Sequence, residues 1–272
     1  MSLDADLIRQ RLGEATAKLE TLEVFAEIES TNSYLMQQPG PREGNVRVAV
    51  TDNQTAGRGR HGRSWQTPAG AGLCLSIAYT FSSRPDNLPA MTLAVGLGVV
   101  NALQEHGVEC VLLKWPNDLV ARDSKLGGIL TEVQSRAEGP ISVVTGIGLN
   151  LDLSAYPELD LQGDWAQRVI DLKSHAKSIP DKNALASSIV KRLCRLLPDY
   201  EAGGFGQFRG QWQQHDWLRG RFVTIETPKQ KISGVGTGIA DDGALLVDTG
   251  NAGIQRVSSG TVTRTELAEL TT

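Results

Sequence analysis

The stretch Gln54-Thr-Ala-Gly57-Arg58-Gly59-Arg60-His61-Gly62-Arg63-Ser64-Trp65 constrains this chain more than any other. Its glycines remove side-chain bulk and let the backbone approach a ligand closely. Its arginines put permanent positive charge on the same few residues. Such a loop suits an anion, a phosphate above all. Gly57-Arg-Gly59-Arg-His-Gly62 also fits the G-x-G-x-x-G dinucleotide pattern and follows the strand-like run Val46 to Val50. That pattern must open a helix, and Ser64-Trp-Gln-Thr-Pro68-Ala-Gly70 cannot continue one. The acidic residue expected about 20 positions on is missing between Tyr79 and Ser83. The nicotinamide reading is therefore excluded.

With 272 residues, 40% of them hydrophobic and 21% charged, the chain has room for one large domain, or for one with a small one beside it. A net charge of -4 argues against a general nucleic-acid binder, because the arginines are local. The longest apolar stretch, near Ala90 to Val100, is shorter than the roughly 20 residues a membrane-spanning helix needs. The opening Met-Ser-Leu-Asp-Ala-Asp has neither a basic n-region nor an apolar h-region, so the expected compartment is the cytoplasm. Cys74, Cys110 and Cys194 are expected to be reduced, buried thiols. No Cys or His pair has metal-ligand spacing, so no protein-bound metal is expected.

Taken in order, Leu3 to Leu22 shows helical spacing and Val24 to Ile28 reads as a strand. Glu29-Ser30-Thr31-Asn32 is a turn whose hydroxyls start a helix from Asn32 to Gln38. Capping is the favoured role of Ser30 and Thr31, with the floor of a pocket as the alternative. Arg47 to Thr51 and Leu73 to Tyr79 are strands. A long apolar helix runs from Pro89 to about Gln104, and Gly96 and Gly98 let it press on the sheet. A strand carries Lys114, Pro116-Asn117-Asp118 turns, and a second turn at Asp123-Ser124-Lys125 leads into a strand from Leu126 to Val133. Ile141 to Asn150 is the next strand. Gly127, Gly128, Gly146 and Gly148 expose bare backbone in neighbouring strands, which points to a flat cavity across the sheet face.

Beyond residue 150 the pattern loosens. Leu153 to Lys177 is irregular, with a short helix near Trp165 to Leu172. Asp181 caps a helix from Asn183 to Leu197 that Pro198 should stop, and Phe205 to Trp217 is another. After Leu218 the texture changes to short strands at 222–225, 232–239, 244–247 and 254–257. This predicts a catalytic domain over 1–218 and a small antiparallel barrel over 219–272.

The polar residues at the loop ends are Gln54, Arg58, Arg60, Lys114, Asn117, Asp118 and Lys125. No serine-histidine-acid set is visible, and His61 reads as a solvent-facing loop residue. No G-x-x-x-x-G-K-[ST] loop exists, which excludes a P-loop NTPase. What remains is a cationic cradle with glycine clearance, which stabilises charge rather than supplying a nucleophile. Spacing alone leads to a phosphate-handling enzyme, with nucleotidyl transfer well suited to it.

Five motifs together resemble the biotin protein ligases. They are Glu29-Ser30-Thr31-Asn32, Gln54-x-x-Gly57-Arg58-Gly59-Arg60-x-Gly62-Arg63-x-Trp65, Lys114-Trp115-Pro116-Asn117-Asp118, Lys125-Leu126-x-Gly128-Ile129-Leu130 and Gly146-Ile-Gly148-Leu149-Asn150. The resemblance covers about residues 24 to 265. It implies an α+β fold: a mixed-sheet catalytic domain related to class II aminoacyl-tRNA synthetases, then an SH3-like β-barrel. It also implies a two-step reaction. Biotin and ATP, with Mg²⁺, give biotinyl-5′-AMP and pyrophosphate. A lysine of a biotin carboxyl carrier domain then takes the biotinyl group.

By motif, Ser30, Thr31, Asn32, Gln54 and the Arg58-Gly59-Arg60 backbone resemble the biotin and adenylate contacts. Lys125 resembles the lysine that meets the biotin carboxylate and the phosphate, and Arg60, Lys114 and Asp118 join it in the expected catalytic set. Gly128 and Gly146 resemble the floor, Trp65 a lid, and Asn117 and Asn150 polar contacts. The roles of Asn117 and Asp118 stay open. Bifunctional relatives carry a winged helix-turn-helix domain ahead of the ligase domain. Only about 23 residues precede the first expected strand here, so no DNA binding is expected, and the lack of a long apolar stretch leaves no membrane partner expected either. Sheet-edge pairing into a homodimer is a family trait that no single residue decides. Two alternatives remain: a lipoate ligase of the same architecture, and, remotely, a nucleic-acid module.

Overall fold

The computed structural model describes residues 2–85, 87–134, 140–156 and 168–267. Apolar and alternating runs pair into a seven-stranded sheet. Its strands are β1 (Leu19–Phe25), β2 (Val46–Thr51), β3 (Gly72–Phe81), β4 (Leu112–Lys114), β5 (Asp118–Ala121), β6 (Ser124–Gln134) and β7 (Ile141–Asn150). They lie in the order β1-β2-β3-β7-β6-β5-β4. The β1–β2 pair is parallel and the other neighbours antiparallel, so the sheet is mixed, as expected.

Successive side chains of a strand point to opposite faces, and β3 shows the consequence. Leu73, Leu75, Ile77 and Tyr79 join the main core, while Ala78 joins a separate cluster with Leu35 on the other face. The helices are α1 (Ala5–Leu12), α2 (Thr31–Gln37), α3 (Met91–Glu105), α4 (Leu172–His175), α5 (Lys182–Gly203) and α6 (Gly206–Gln214). α3 and α5 pack on each other over the core face, and α2 packs on the opposite face against β2, β3 and β7. The C-terminal strands β8 (Arg221–Glu226), β9 (Lys231–Ile239), β10 (Leu245–Asp248), β11 (Ile254–Val257) and β12 (Thr261–Leu267) form a five-stranded antiparallel sheet in the order β11-β10-β9-β8-β12.

Several elements differ from their sequence-based expectations. The helix expected over 3–22 stops at Leu12, where Gly13 takes φ 57. A 3₁₀ segment follows, and Leu19 and Leu22 belong to β1, which pairs along β2 instead of starting at Val24. Thr31 rather than Asn32 opens α2. The turn before β6 is Arg122–Asp123, with φ 47 and 57, so Lys125 already lies in the strand. Pro198 does not stop α5, which is capped by Asp181 and runs on to Gly203. Proline cannot donate to the carbonyl four residues earlier; that carbonyl, of Cys194, instead accepts from Lys18 Nζ at 3.5 Å.

Gly96 does press on the sheet, since a Cβ there would lie 3.0 Å from Leu113 Cδ2, but Gly98 faces Leu193 of α5. α6 ends at Gln214, and the next residues are stitched to β4 by Leu113 N to His215 O at 2.7 Å and Trp217 N to Leu113 O at 3.0 Å. Cys74 and Cys194 are buried as expected, but Cys110 is exposed. Of the helix expected near 165–172, residues 165–167 lie outside the described residues, and 168–171 are not helical because Val169 is drawn into a parallel bridge with Lys125; only Leu172 is helical, opening α4 behind its cap Asp171.

Candidate active site

A cavity of about 790 Å³ opens on the α2 face of the sheet. Glycines make its floor. Gly128 of β6 stands directly across from Gly148 of β7, and Gly146 stands across from Leu130 and Ser76. A Cβ at Gly148 would land on the Trp65 indole, and one at Gly146 would lie 2.5 Å from Asn32 Oδ1. Trp65 therefore lies directly against the glycine floor.

One end of the cavity is neutral and polar. Ser30 caps α2, its Oγ accepting from Ser33 N at 3.3 Å, and it also lines the cavity, so both of its expected roles hold geometrically. Thr31 N donates to Gln54 Oε1 at 2.9 Å. Thr31 Oγ1 lies 2.7 Å from Ser76 Oγ, and Ser76 donates to Asn32 Oδ1 at 2.8 Å. Asn32 Nδ2 donates to Leu130 O at 3.2 Å and to Glu132 Oε2 at 2.9 Å.

The glycine-arginine loop closes over this end as a small hairpin, with Gly59 N to Arg63 O at 2.7 Å and Trp65 N to Gly57 O at 2.8 Å. Gly57 has no room for a side chain, because a Cβ would land on the Trp65 backbone carbonyl oxygen. Arg58 leaves backbone in the cavity wall but turns its guanidinium to Ser33 Oγ at 3.2 Å and Glu132 Oε1 at 2.5 Å.

The other end is cationic. Arg60 Nη1 donates to Asn117 Oδ1 at 3.3 Å, and Asn117 Nδ2 is fixed on Ile129 O at 2.9 Å. Lys125 Nζ lies 2.7 Å from Asp118 Oδ1 and 5.6 Å from the Trp65 ring. Lys114 is only 8% exposed. Burial pulls its ammonium below the ordinary range, Lys125 and Arg63 add repulsion, and Asp118 opposes both. Burial likewise lowers Arg60, against Asp118. Such a cluster holds more positive charge than Asp118 offsets, and an incoming anion relieves that excess.

Asn150 lines the cavity, yet its amide donates to Ile170 O at 3.1 Å and Lys125 O at 3.4 Å. Further bonds, Lys125 N to Arg168 O at 2.7 Å and Ile170 N to Lys125 O at 3.0 Å, hold the lysine's backbone rigidly.

Sequence reasoning missed Cys74, Ser76, Glu132 and the contribution of the C-terminal sheet. Period-two alternation was the available signal for three of them: Gly128, Leu130 and Glu132 share a face, as do Cys74 and Ser76. Burial pushes the Cys74 thiol up to about 11, so it is no nucleophile. Glu226, Thr261 and Thr263 reach the cavity mouth from the C-terminal sheet, and Trp115 Nε1 ties the sheets together through Gly243 O at 3.1 Å. Trp217 packs 5.5 Å from Lys114 Nζ and 4.3 Å from the Arg221 guanidinium.

A neutral hydrogen-bonding pocket joined over bare backbone to a cationic one fits enzymes that couple a compact carboxylic acid to a nucleotide. Residues 24–150 match the biotin/lipoate A/B protein ligase family, and residues 220–263 match the biotin protein ligase C-terminal domain. The chain is 34% identical to the biotin–[acetyl-CoA-carboxylase] ligase of Mycobacterium tuberculosis, over 96% of this chain and 95% of that one. It is 32% identical to the bifunctional ligase/repressor BirA of Salmonella typhimurium, over 90% of this chain and 73% of the relative. The structure of the Aquifex aeolicus biotin protein ligase in complex with biotin and ATP superposes with a TM-score of 0.75 at 26% identity, covering 92% of this chain and 100% of that one. The chain belongs to the biotin protein ligases of this family.

Proposed function

We propose that the chain makes biotinyl-5′-AMP from biotin and ATP and passes the biotinyl group to a lysine of a biotin carboxyl carrier domain. The observation that carries this reading is the two-ended cavity, polar and neutral at Thr31 and Asn32, cationic at Arg60, Lys114 and Lys125. In the first step a carboxylate oxygen of biotin attacks the α-phosphorus, and the bond to the departing pyrophosphate breaks. The two anions repel until Lys125, Lys114 and Arg60 neutralise them, and fixed donors do this with little reorganisation. In the second step the neutral ε-amine of the carrier lysine attacks the acyl carbon. AMP leaves with the electron pair of the acyl–oxygen bond, and the amine loses a proton.

Ser30, Thr31, Asn32, Gln54, Gly146 and Trp65 are assigned to the biotin moiety. The Arg58-Gly59-Arg60 backbone, Gly128, Asn117 and Asn150 are assigned to the adenylate. Asp118 orients Lys125. Mg²⁺ arrives on the ATP phosphates as part of that substrate; among the described residues no cluster of three or more His, Cys, Asp or Glu could cage a metal. The unit over 1–218 is read as the catalytic domain, related to class II aminoacyl-tRNA synthetases, and 219–272 as an SH3-like barrel. A cytoplasmic location and homodimer formation through sheet edges complete the reading.

A lipoate ligase is disfavoured by the relatives named for biotin at 34% and 32% identity. A nucleic-acid module is disfavoured because Arg58 is engaged by Glu132 and Arg60 is turned into the cavity. Incubation with biotin, MgATP and a carboxyl carrier domain should add one biotinyl mass to that domain. Loss of the addition on replacing the carrier lysine by arginine supports the reading, and no addition to the native carrier refutes it.

A further inference from the structure

Glu132 was not singled out by any motif, yet its two oxygens engage two different parts of the cavity wall. Oε1 holds the Arg58 guanidinium at 2.5 Å, and Oε2 accepts from Asn32 Nδ2 at 2.9 Å. Arg58 sits between Gly57 and Gly59, lines the cavity together with Gly59, and bridges to Ser64 across the hairpin. Asn32 stands in the first turn of α2 over Gly146. The carboxylate is therefore a joint between the loop and the neutral end of the pocket.

The joint also fixes hydrogen-bond direction. A carboxylate and a carbonyl only accept. Both Asn32 Nδ2 protons are thus committed, to Glu132 and to Leu130 O. Asn32 Oδ1 must then take the Ser76 proton, and the 2.7 Å contact between Ser76 and Thr31 needs the Thr31 proton. The Thr31 hydroxyl has one proton for two neighbours, Ser76 Oγ at 2.7 Å and Gln54 Oε1 at 3.1 Å, and Gln54 Oε1 also accepts the Thr31 N–H at 2.9 Å. One chain of donors thus runs from Thr31 through Ser76 and Asn32 to Glu132, which leaves the lone pairs of Thr31 Oγ1 to accept.

We infer that Glu132 is a positioning residue of the ligation reaction. It clasps Arg58 to α2, keeps that guanidinium out of the cationic cluster, and holds the loop closed over the bound acid and its adenylate. The inference rests on the biotin ligase reading for its functional consequence, but not for the clasp itself. A partly exposed ion pair of this kind is worth a small factor, about fivefold in an equilibrium.

The test compares the parent with Glu132→Gln, Arg58→Gln and the double variant. Glu132→Gln keeps an oxygen for Asn32 but presents an amide, not a carboxylate, to Arg58. Amide exchange at Gly59 and Trp65 in the unliganded protein should quicken by about fivefold in each single variant, with no further gain in the double. Added biotinyl-5′-AMP should dissociate from each variant by a similar factor faster, with the KM for ATP unchanged in Glu132→Gln. Unaltered exchange in Glu132→Gln, or single effects that multiply in the double variant, overturns the clasp. A parent that fails to retain biotinyl-5′-AMP would refute the functional reading instead, while the exchange data would still decide the clasp.

Discussion

Adding one methyl group at two floor glycines separates the demands of folding from those of ligand binding. A Cβ at Gly128 would lie 3.4 Å from Lys125 Cε, 3.5 Å from Lys125 Nζ and 3.6 Å from Trp65 Cζ3, all ordinary contacts. Gly128→Ala should leave stability within about 0.5 kcal/mol of the parent, or raise it slightly, because alanine loses less backbone freedom on folding. The methyl nevertheless projects into the space a ligand must fill. Overpacking of that kind costs about 1–3 kcal/mol, or roughly 5- to 150-fold in affinity.

Gly146→Ala is different. Its Cβ would lie 2.5 Å from Asn32 Oδ1, 2.9 Å from Asn32 Cγ and 3.3 Å from Ser76 Oγ. Asn32 cannot move aside without giving up its bonds to Glu132, Leu130 and Ser76. The variant should lose about 1–3 kcal/mol of stability as well as biotin binding. Urea unfolding of both variants, with titration calorimetry using biotinyl-5′-AMP for Gly128→Ala and biotin for Gly146→Ala, reads the two effects. Parent-like affinity in Gly128→Ala, or equal destabilisation of the two variants, would refute the reasoning.

Three further outcomes follow from the site and its surroundings. Lys125→Ala should slow single-turnover adenylate formation by roughly 10²–10³, whereas Arg60→Gly should still form adenylate and release it sooner, because the loop loses its hold on Asn117 and gains backbone freedom. Burial raises Asp216 from 3.8 to about 7, its Oδ2 having no hydrogen-bond partner among the described residues, so its burden on the fold is absent below about pH 4 and complete above about pH 7. Asp216→Asn should accordingly match the parent in urea melts at pH 4 and exceed it by as much as about 4 kcal/mol at pH 8. Trp217→Leu should raise the KM for ATP by a few fold while Trp217→Tyr stays near the parent, since an aromatic face beside a desolvated ammonium contributes about 0.5–2 kcal/mol.

The site was legible in the sequence where the chemistry is local. Gly57, Gly59 and Arg60 fall in one short loop, and Gly128 and Gly148 announce clearance within their own strands; the structure needed only to pair β6 with β7 to join them. Elements whose limits depend on distant partners were less legible. Helical spacing over Leu3 to Leu22 could not reveal that Leu19 and Leu22 are claimed by pairing with β2. Pro198 reads as a stop, yet Lys18, far away in sequence, takes over the carbonyl that proline leaves unserved. Glu132 escaped because one acidic residue in a strand is unremarkable until Arg58 and Asn32 are brought to it. The threonines and Glu226 at the cavity mouth come from a sheet whose placement no local pattern encodes.

The central claim is that the cationic end activates ATP only when biotin fills the neutral end. Exchange of labelled pyrophosphate into ATP measures the reversible first step without any carrier protein. Exchange should appear with biotin and MgATP, be absent without biotin, and stay at background when lipoate replaces it. Exchange that proceeds without biotin, or equally well with lipoate, would contradict the account.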